Sequence, residues 1–474
     1  MSSRFDVPRE GGAVPLSDVL RYPSERSFVV QLRADAAPEQ AVVRGRVEHV
    51  VSSRAATFDS LAELARFFAE AIRAGGRALL VLGMLWAGEA SAQRAPRWDV
   101  PLESRDVELV AAAAKGSLAF VAGRERVSDE DFVYRAIVAA LDAATGRVLW
   151  LREGDTATGN AGGADWDSVF EPLALEGGVV VTGGRRELDG AATEGVVRAY
   201  DQRSGTLLWN KAIAKGDSTE VAAADGIAFA ATTRYAPKDV LLQAFELATG
   251  ALLWEKELGA DFPSALLGGV DAARGVVAVA VSRGGEAGGV LVSARAAATG
   301  ALVWDDVYAP EGERAFGSAL LVAGRRLVLG GVQVDGESDA DDVLLAYDLK
   351  RGTPLWTRAD PQEGSQQVLA LAAIGNRVVS LTRLVEGYLL RARQGRTGAV
   401  KWDEDLDLEP AAAARGLAAR GGRVVFAHPD GVFAFDATRG QRVWDAARGA
   451  FAAAIQGDAA FVAGAGGAAA YSVR

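Results

Sequence analysis

The sequence of 474 residues contains no cysteine and only two histidines, His49 and His428, which lie in different regions of the chain. A disulfide, a thiolate metal site, a cysteine nucleophile and a lipid anchor on an N-terminal cysteine are therefore excluded. Two separated histidines also argue against a histidine-based zinc site and against a Ser-His-Asp triad. We expect both histidines to be ordinary solvated or hydrogen-bonded side chains.

A strongly basic surface is also missing. The formal net charge is −11 and the isoelectric point is about 5.0, which argues against a nucleic-acid partner. Half of the residues are hydrophobic and 24% are charged, as in globular proteins. The 55 glycines are typical of a fold with many tight turns.

A repeated motif fills most of the chain: a glycine is followed four residues later by a tryptophan. The motif occurs seven times, and its tryptophans are 42 to 59 residues apart. Self-similarity at such a period indicates one supersecondary unit used repeatedly. The tryptophans are Trp150, Trp209, Trp254, Trp304, Trp356, Trp402 and Trp444, and the glycines are Gly146, Gly205, Gly250, Gly300, Gly352, Gly398 and Gly440.

Each period contains four short apolar segments separated by turn residues, which predicts a four-stranded propeller blade. A hairpin glycine between the first two segments occurs eight times, so we expect eight blades. The chain stops at the third strand of the eighth blade. Trp98, which is followed by aspartate like Trp304, Trp402 and Trp444, lies 52 residues before Trp150 and predicts that an N-terminal strand completes that blade.

The repeat resembles the A-x-D-x-x-T-G-x-x-x-W tryptophan-docking motif of propellers named after pyrroloquinoline quinone (PQQ). The segment from Ala140 to Trp150 matches every fixed position, and the segment ending at Trp209 differs at Ser204. The resemblance covers residues 93–474 and implies an all-β, eight-bladed propeller with a three-plus-one closure. WD40 propellers are less similar, because their Trp-Asp pair ends the third strand.

The resemblance leaves two kinds of function open. The family includes quinone-dependent alcohol and glucose dehydrogenases, which hold PQQ and Ca²⁺ on the propeller axis, and cofactor-free scaffolds such as the one for outer-membrane-protein assembly. The sequence has few asparagines and no Glu, Asn and Asp set that matches the metal site of the dehydrogenases. We expect a non-catalytic binding scaffold without catalytic, cofactor or metal residues. A PQQ- and Ca²⁺-dependent dehydrogenase is the alternative.

Residues before the repeat divide into two parts. Residues 1–75 predict a small β-β-α module, with strands in 27–33 and 41–51 and a helix from Phe58 to Ile72. Residues 76–92 contain a basic start, an apolar core of about ten residues and Ala90-Ser91-Ala92, as in a secretory signal peptide. The core is too short for a membrane span. Its internal position leaves three interpretations: a signal after a mis-assigned start, an inefficient anchor, or a buried linker.

The expected binding face carries the fourth-to-first and second-to-third connections of the blades. One long loop holds Trp166 and Asp167, and Trp166 is either a ligand anchor or a packing residue. Two acidic loops, containing Asp129 with Asp131 and Asp339 with Asp341, are either solvated or Ca²⁺-binding. We expect a monomer that binds an unknown protein or a small ligand. If residues 77–92 act as a signal, the protein is periplasmic or secreted; otherwise it is cytoplasmic.

Overall fold

The structure, a computed structural model, describes three strands between residues 28 and 58 and most of residues 92–473. Within 92–473 the description omits 102–105, 129–132, 157–172, 189–191, 237, 260–263, 285–287, 335–339, 361–366 and 412–414. The described residues contain no helix, and so none that combines the length and hydropathy of a membrane span.

The first strands form a unit of their own. They are β1 (Phe28–Leu32), β2 (Gly45–His49) and β3 (Ala55–Phe58), paired antiparallel in that order. The alternation of apolar and polar residues predicts β1 and β2, whereas β3 is not expected. Phe58, the first residue of the predicted helix, ends β3, and the rest of that helix lies outside the described residues.

Residues from Ala92 onward form eight sheets, each with the four antiparallel strands of a predicted blade, and one of these sheets has an additional fifth strand. Blade 1 contains β6 (Asp106–Lys115), β7 (Leu118–Ser128), β8 (Val133–Asp142) and β9 (Val148–Thr156). Blade 2 contains β10 (Leu173–Glu176), β11 (Val179–Leu188), β12 (Ala192–Asp201) and β13 (Leu207–Ala214). Blade 3 contains β14 (Gly216–Ala224), β15 (Ile227–Tyr235), β16 (Lys238–Glu246) and β17 (Leu252–Leu258). Blade 4 contains β18 (Ala265–Ala273), β19 (Val276–Arg283), β20 (Gly289–Ala296) and β21 (Leu302–Tyr308).

The second half of the ring repeats the same order. Blade 5 contains β22 (Arg314–Ala323), β23 (Arg326–Val334), β24 (Ala340–Asp348) and β25 (Pro354–Asp360). Blade 6 contains β26 (Gln367–Ile374), β27 (Arg377–Arg383), β28 (Tyr388–Gln394) and β29 (Val400–Leu406). Blade 7 contains β30 (Gly416–Arg420), β31 (Arg423–His428), β32 (Gly431–Asp436) and β33 (Arg442–Ala446). Blade 8 contains β34 (Ala452–Gln456), β35 (Ala459–Gly464), β36 (Gly467–Ser472) and the N-terminal β5 (Trp98–Pro101).

The turn between the third and fourth strands follows the residue types that the sequence places there. In blade 1 the Asp142 carboxylate accepts hydrogen bonds from the Ala144 and Thr145 N–H groups and from the Thr145 hydroxyl. These bonds hold the pKa of Asp142 below its usual range. Gly146 closes the turn at φ +75°, a conformation in which a side chain is strained.

A one-residue register shift precedes the tryptophan in blades 1 to 7. In blade 2, Ala199 pairs with Trp209 while the next residue, Tyr200, pairs with Leu207, so Leu208 is the extra residue of a β-bulge. The bulge leaves Leu207 and Leu208 both exposed and turns Trp209 inward. Two successive outward side chains therefore precede each of these tryptophans.

Each tryptophan ring lies on the glycine turn of the next blade. A Cβ added to any of the seven motif glycines would lie within 2.5–2.7 Å of that indole. The indole N–H of Trp150 donates to the Gln202 carbonyl of the next blade at 3.0 Å, and six other tryptophans make the equivalent bond. Less than a tenth of each tryptophan is exposed. Turn and indole together therefore join neighbouring blades.

The ring closes with the N-terminal strand, as the sequence predicts. Trp98 in β5 pairs with Ala470 in β36, and its indole N–H donates to the Ala143 carbonyl of blade 1. Ion pairs flank the strand, with Arg97 bound to Asp458 at 2.8 Å. The preceding strand β4 (Ala92–Gln93) adds to blade 7 in parallel orientation, beside β33, which the sequence does not predict.

Trp444 is the exception among the eight tryptophans. It is 1% exposed, yet its indole N–H has no hydrogen-bond partner in the described part of the chain. Because β5 supplies the outer strand of blade 8, that blade has no glycine turn to cover Trp444. The Arg94 guanidinium lies 5.9 Å from the ring instead, and Tyr471 stacks on it at 5.5 Å.

We predict that Gly205→Ala lowers the free energy of unfolding by about 2 kcal/mol more than Gly226→Ala. Both glycines have positive φ, at +66° and +78°, so each substitution costs about 1 kcal/mol of backbone strain. Only at Gly205 would the added methyl meet an indole, 2.5 Å from Trp150 Cδ2, whereas nothing lies within 4 Å at Gly226. Urea unfolding followed by tryptophan fluorescence measures both, and equal losses would show that the joint between blades contributes little.

Candidate functional site

The inner strands of all eight blades surround a cavity of about 620 Å³ on the propeller axis. This volume lies in the range of small-molecule sites. Its walls are mainly apolar, and every blade contributes at least one side chain. These residues include Val110, Leu173, Val221, Val270, Leu320, Leu369, Leu417 and Phe451. We call this cavity the axial channel.

Four charged side chains interrupt the apolar wall of the axial channel. Glu108 and Arg124, both of blade 1, form an ion pair with N–O distances of 2.5 and 2.8 Å. Glu220 belongs to blade 3 and Arg415 precedes the first strand of blade 7. Sequence reasoning missed all four.

The channel residues do not form a Ca²⁺-quinone site of the kind that the dehydrogenases use. The described lining offers two carboxylates, Glu108 and Glu220, and no amide side chain. The Glu108 carboxylate is ion-paired with Arg124 and is therefore not a free ligand for a metal ion. Across the described ranges, no cluster of three or more His, Asp or Glu side chains could hold a metal ion. The donor set therefore does not fit the centre that the alternative function requires.

The predicted loop residues are mostly outside the described part of the chain. Trp166, Asp167, Asp129, Asp131 and Asp339 fall in the omitted ranges, so their roles stay predictions. Asp341 is described, and it lies in β24 opposite Gln333 rather than in a loop.

Asp342, the next residue, is also in β24 and is 1% exposed. Its carboxylate accepts a hydrogen bond from the Thr382 hydroxyl of blade 6 at 3.2 Å. Burial raises the pKa of Asp342 above its usual range, although Arg391 and Arg393 oppose that shift. The end of the predicted acidic loop is thus part of the joint between blades 5 and 6.

A second buried carboxylate joins the inner strands of blades 4 and 5. One carboxylate oxygen of Asp271 accepts a hydrogen bond from the Val322 N–H at 2.7 Å. The other accepts one from the N–H of the next residue, Ala272, at 2.7 Å. Burial of this carboxyl group raises the pKa of Asp271 to about 6. Asp271 links adjacent blades next to the channel residue Val270.

His428 is a buried, hydrogen-bonded side chain, as expected. Its Nε2 donates to the Glu409 carbonyl at 3.0 Å and its Nδ1 accepts the Asp430 N–H at 3.1 Å, a pattern that requires the neutral ring. The Tyr388 ring packs edge-on at 5.2 Å, and its hydroxyl accepts the Ala411 N–H. These bonds fix Glu409 and Ala411, which belong to the connection between blades 6 and 7 that leads to the channel residue Arg415.

Exposed apolar side chains form a second feature, which we call the apolar rim. The β-bulge places two outward residues before each tryptophan, and in blades 2, 3 and 4 both are aliphatic and more than two fifths exposed. They are Leu207, Leu208, Leu252, Leu253, Leu302 and Val303, each between 41% and 52% exposed. In blade 6 the second of these positions is Lys401. Blades 1 and 5 continue the apolar pattern with less exposed side chains, for example Val148 at 38% and Leu355 at 39%, so the apolar rim is the most exposed part of a longer apolar series.

Comparison with known proteins gives a family and a fold. The family model described as outer membrane protein assembly factor BamB matches residues 193–266 and 237–472, which together span more than half of the chain. A search of curated proteins finds no match.

Solved structures share the fold at low identity. The computationally designed Ika8 protein is 17% identical, with a TM-score of 0.54, and 80% of this chain and 100% of that chain are covered. The quinohemoprotein alcohol dehydrogenase ADHIIG from Pseudomonas putida HK5 is 14% identical, with a TM-score of 0.50 and coverage of 81% and 77%. BamB from Moraxella catarrhalis is 16% identical, with a TM-score of 0.49 and coverage of 80% and 97%.

We predict that His428 makes the protein less stable below pH 6.5. Burial lowers the pKa of His428 from its ordinary 6.5, so below that pH the unfolded chain binds a proton that the folded chain does not. Stability then falls by up to about 1.4 kcal/mol per pH unit as the pH drops from 6.5 towards the lowered pKa.

Urea unfolding at several pH values between 5 and 8 measures this slope for the wild type and for His428→Gln. The variant lacks the titrating ring and should lose this part of the pH dependence, even though its stability at pH 8 is lower. Identical slopes for the two proteins would contradict the assignment to His428.

Proposed function

The chain belongs to the family described as outer membrane protein assembly factor BamB, and on that premise we propose that its propeller is a non-catalytic, extracytoplasmic scaffold that binds another protein. The family is named for the assembly of outer membrane proteins, and only the protein-binding role is carried over to this chain. The net charge of −11 favours a protein over a nucleic acid as the partner.

The apolar rim is the observation that carries this proposal. Aliphatic side chains exposed in a group are costly in water unless another surface covers them, and such patches mark interaction sites. The rim follows three adjacent outer strands, β13, β17 and β21. Charged residues surround it, for example Glu255 and Asp305, which fits the polar border of a protein interface.

The quinoprotein alternative has weaker support from the residues. The axial channel provides two carboxylates, one of them paired with Arg124, in place of a calcium-binding set of carboxylates and amides. We derive no catalytic step through a quinone on this donor set.

We predict that the triple variant Leu208→Lys, Leu253→Lys, Val303→Lys folds normally and loses partner binding. The chain already carries lysine at the equivalent position of blade 6, Lys401, so each substitution should change stability by no more than about 0.5 kcal/mol. A photo-crosslinking residue at Leu252 in producing cells should give discrete protein adducts in the wild type and none in the variant.

The matched control adds three lysines to exposed polar positions on outer strands and turns, Asn210→Lys, Thr353→Lys and Thr357→Lys. This control should keep the adducts, because it adds the same charge without removing apolar surface. Equal adducts in all three proteins would contradict the role of the apolar rim. Dye reduction with an alcohol or sugar after addition of PQQ and Ca²⁺ would contradict the non-catalytic proposal.

We also propose that residues 77–92 direct export and that the chain is cleaved after Ala92. Residues just after this point contact the propeller: the Arg94 N–H donates to the Asp445 carbonyl at 2.8 Å, and Arg97 pairs with Asp458. Cleavage would remove Ala92 from β4 and leave the bonds of Arg94 and β5 intact. The exported product would thus keep the strand that closes the ring.

Mass spectrometry of the N-terminal peptide from the cell-envelope fraction tests the export proposal. We expect a product that begins at Gln93. Ala90→Arg should block cleavage, because signal peptidase requires a small residue three positions before the cut, whereas Ser91→Leu at the unrestricted middle position should be cleaved normally. Full-length protein confined to the cytoplasm would contradict export.

A further inference from the structure

The wall of the axial channel has layers, which are found by counting back along each inner strand from its hairpin. Leu369, Arg415 and Phe451 line the channel at equivalent positions of blades 6, 7 and 8. Each lies five residues before the last inner-strand residue that pairs across the hairpin, and the residues in between pair without a register shift. Val110 and Ser318 occupy this position in blades 1 and 5. In this first layer one cationic side chain is therefore flanked by an aliphatic and an aromatic one from the neighbouring blades.

The second layer, one residue closer to the hairpins, consists mainly of small residues. A Cβ at Gly416 would lie 2.8 Å from the Phe451 carbonyl oxygen, so blades 7 and 8 approach each other closely here. Glu220 of blade 3 is the larger side chain that lines the channel at this position. Small residues fill little of the axis, and this keeps the channel open. They are Ala111, Gly269, Ala319, Gly416 and Ala452.

The third layer, one residue further on, is entirely apolar among the described lining residues. A strand rises about 3.3 Å per residue, so this layer lies roughly 7 Å along the strands from the first layer. The channel thus combines a cationic group with an apolar ring two residues away. The ring consists of Ala112, Leu173, Val221, Val270, Leu320, Leu417 and Ala453.

Arg415 is the charged lining residue that is left to interact with a ligand. Glu108 and Arg124 bind each other, and Glu220 already has an interaction partner. The Arg415 side chain is exposed and makes no hydrogen bond or ion pair within the described part of the chain. Its carbonyl accepts the Leu417 N–H at 2.9 Å, a tight turn that fixes the backbone at the channel wall.

We propose that the axial channel binds a monocarboxylic acid with an apolar chain, with its carboxylate at Arg415 and its chain passing the second layer to the third. An arginine guanidinium suits a carboxylate, since it can donate two parallel hydrogen bonds. The chain would contact Leu369 and Phe451 beside the carboxylate, and Val270 and Leu320 beyond it. A cavity of about 620 Å³ accommodates a ligand of this size.

This inference is independent of the protein-binding role of the apolar rim. The rim lies on the outer strands and the channel is formed by the inner strands, so loss of one site leaves the other in place. The ligand class also differs from a quinone with Ca²⁺, because it requires one guanidinium and an apolar wall and no metal ligands.

Isothermal titration of the full chain with octanoate tests the proposal. We expect octanoate to bind, and octanol and octylammonium to bind at least tenfold more weakly, because neither carries the carboxylate. Butyrate keeps the carboxylate but is too short to reach the third layer, and it should also bind at least tenfold more weakly. In Arg415→Gln the affinity for octanoate should fall to that for octanol, while the affinity for octanol stays unchanged.

The matched control is Arg420→Gln, on the same strand and outside the channel lining. Arg420 is exposed and donates to the Gln456 side chain, so this variant removes the same charge and should bind octanoate as the wild type does. Absence of binding at millimolar octanoate, or equal binding of octanoate and octanol, would overturn the proposal. The ligand series gives this answer on the wild-type protein, even if the Arg415 variant fails to fold.

Discussion

The contact between an indole and the glycine turn of the next blade is the interaction on which the ring depends. The turn must be glycine for two reasons at once. Its φ is positive, and the neighbouring indole occupies the space of a Cβ. The hydrogen bond from the indole N–H to the following carbonyl then fixes the rotation of one blade against the next. Sheet packing alone would leave that rotation free to vary, because apolar contact is non-directional.

The β-bulge beside each tryptophan couples this joint to the outer surface. Turning Trp209 inward requires an extra residue, and that residue faces outward together with the one before it. Each such blade therefore has two successive exposed positions before its tryptophan, and the fold does not restrict which residue types occupy them. Blades 2 to 4 fill them with aliphatic side chains, whereas blade 6 has Lys401. A structural necessity of the blade thus provides a surface on which binding can evolve.

Most of the architecture could be predicted from the sequence, because it depends on local patterns that recur. The glycine-to-tryptophan spacing gives the blades, and Trp98 gives the closing strand. The unsatisfied indole of Trp444 could not be predicted, since it depends on which strand ends up beside it. Asp341 and Asp342 look like loop residues because of their charge, but both lie in strand β24. The Thr382 hydroxyl of the next blade donates a hydrogen bond to the Asp342 carboxylate between the two sheets.

The channel charges were missed for a different reason. Glu220 and Arg415 are 195 positions apart in the sequence, since 415 − 220 = 195, and nothing local relates them. Their presence in one channel follows only from the closure of the ring, which brings the inner ends of blades 3 and 7 to the same axis. The residues that line a propeller axis therefore become visible only from the closed ring.

Closure by β5 has a consequence for how the chain acquires its structure. Trp98 is made before the seven blades that follow it, whereas its pairing partner Ala470 is made after all of them. The seven internal blades can form in order behind it, but the ring remains open until the end. Joining these distant segments carries the entropic cost of closing a very long loop. Throughout that interval the Trp98 strand has unpaired edges, the kind of surface on which chaperones act and aggregation begins.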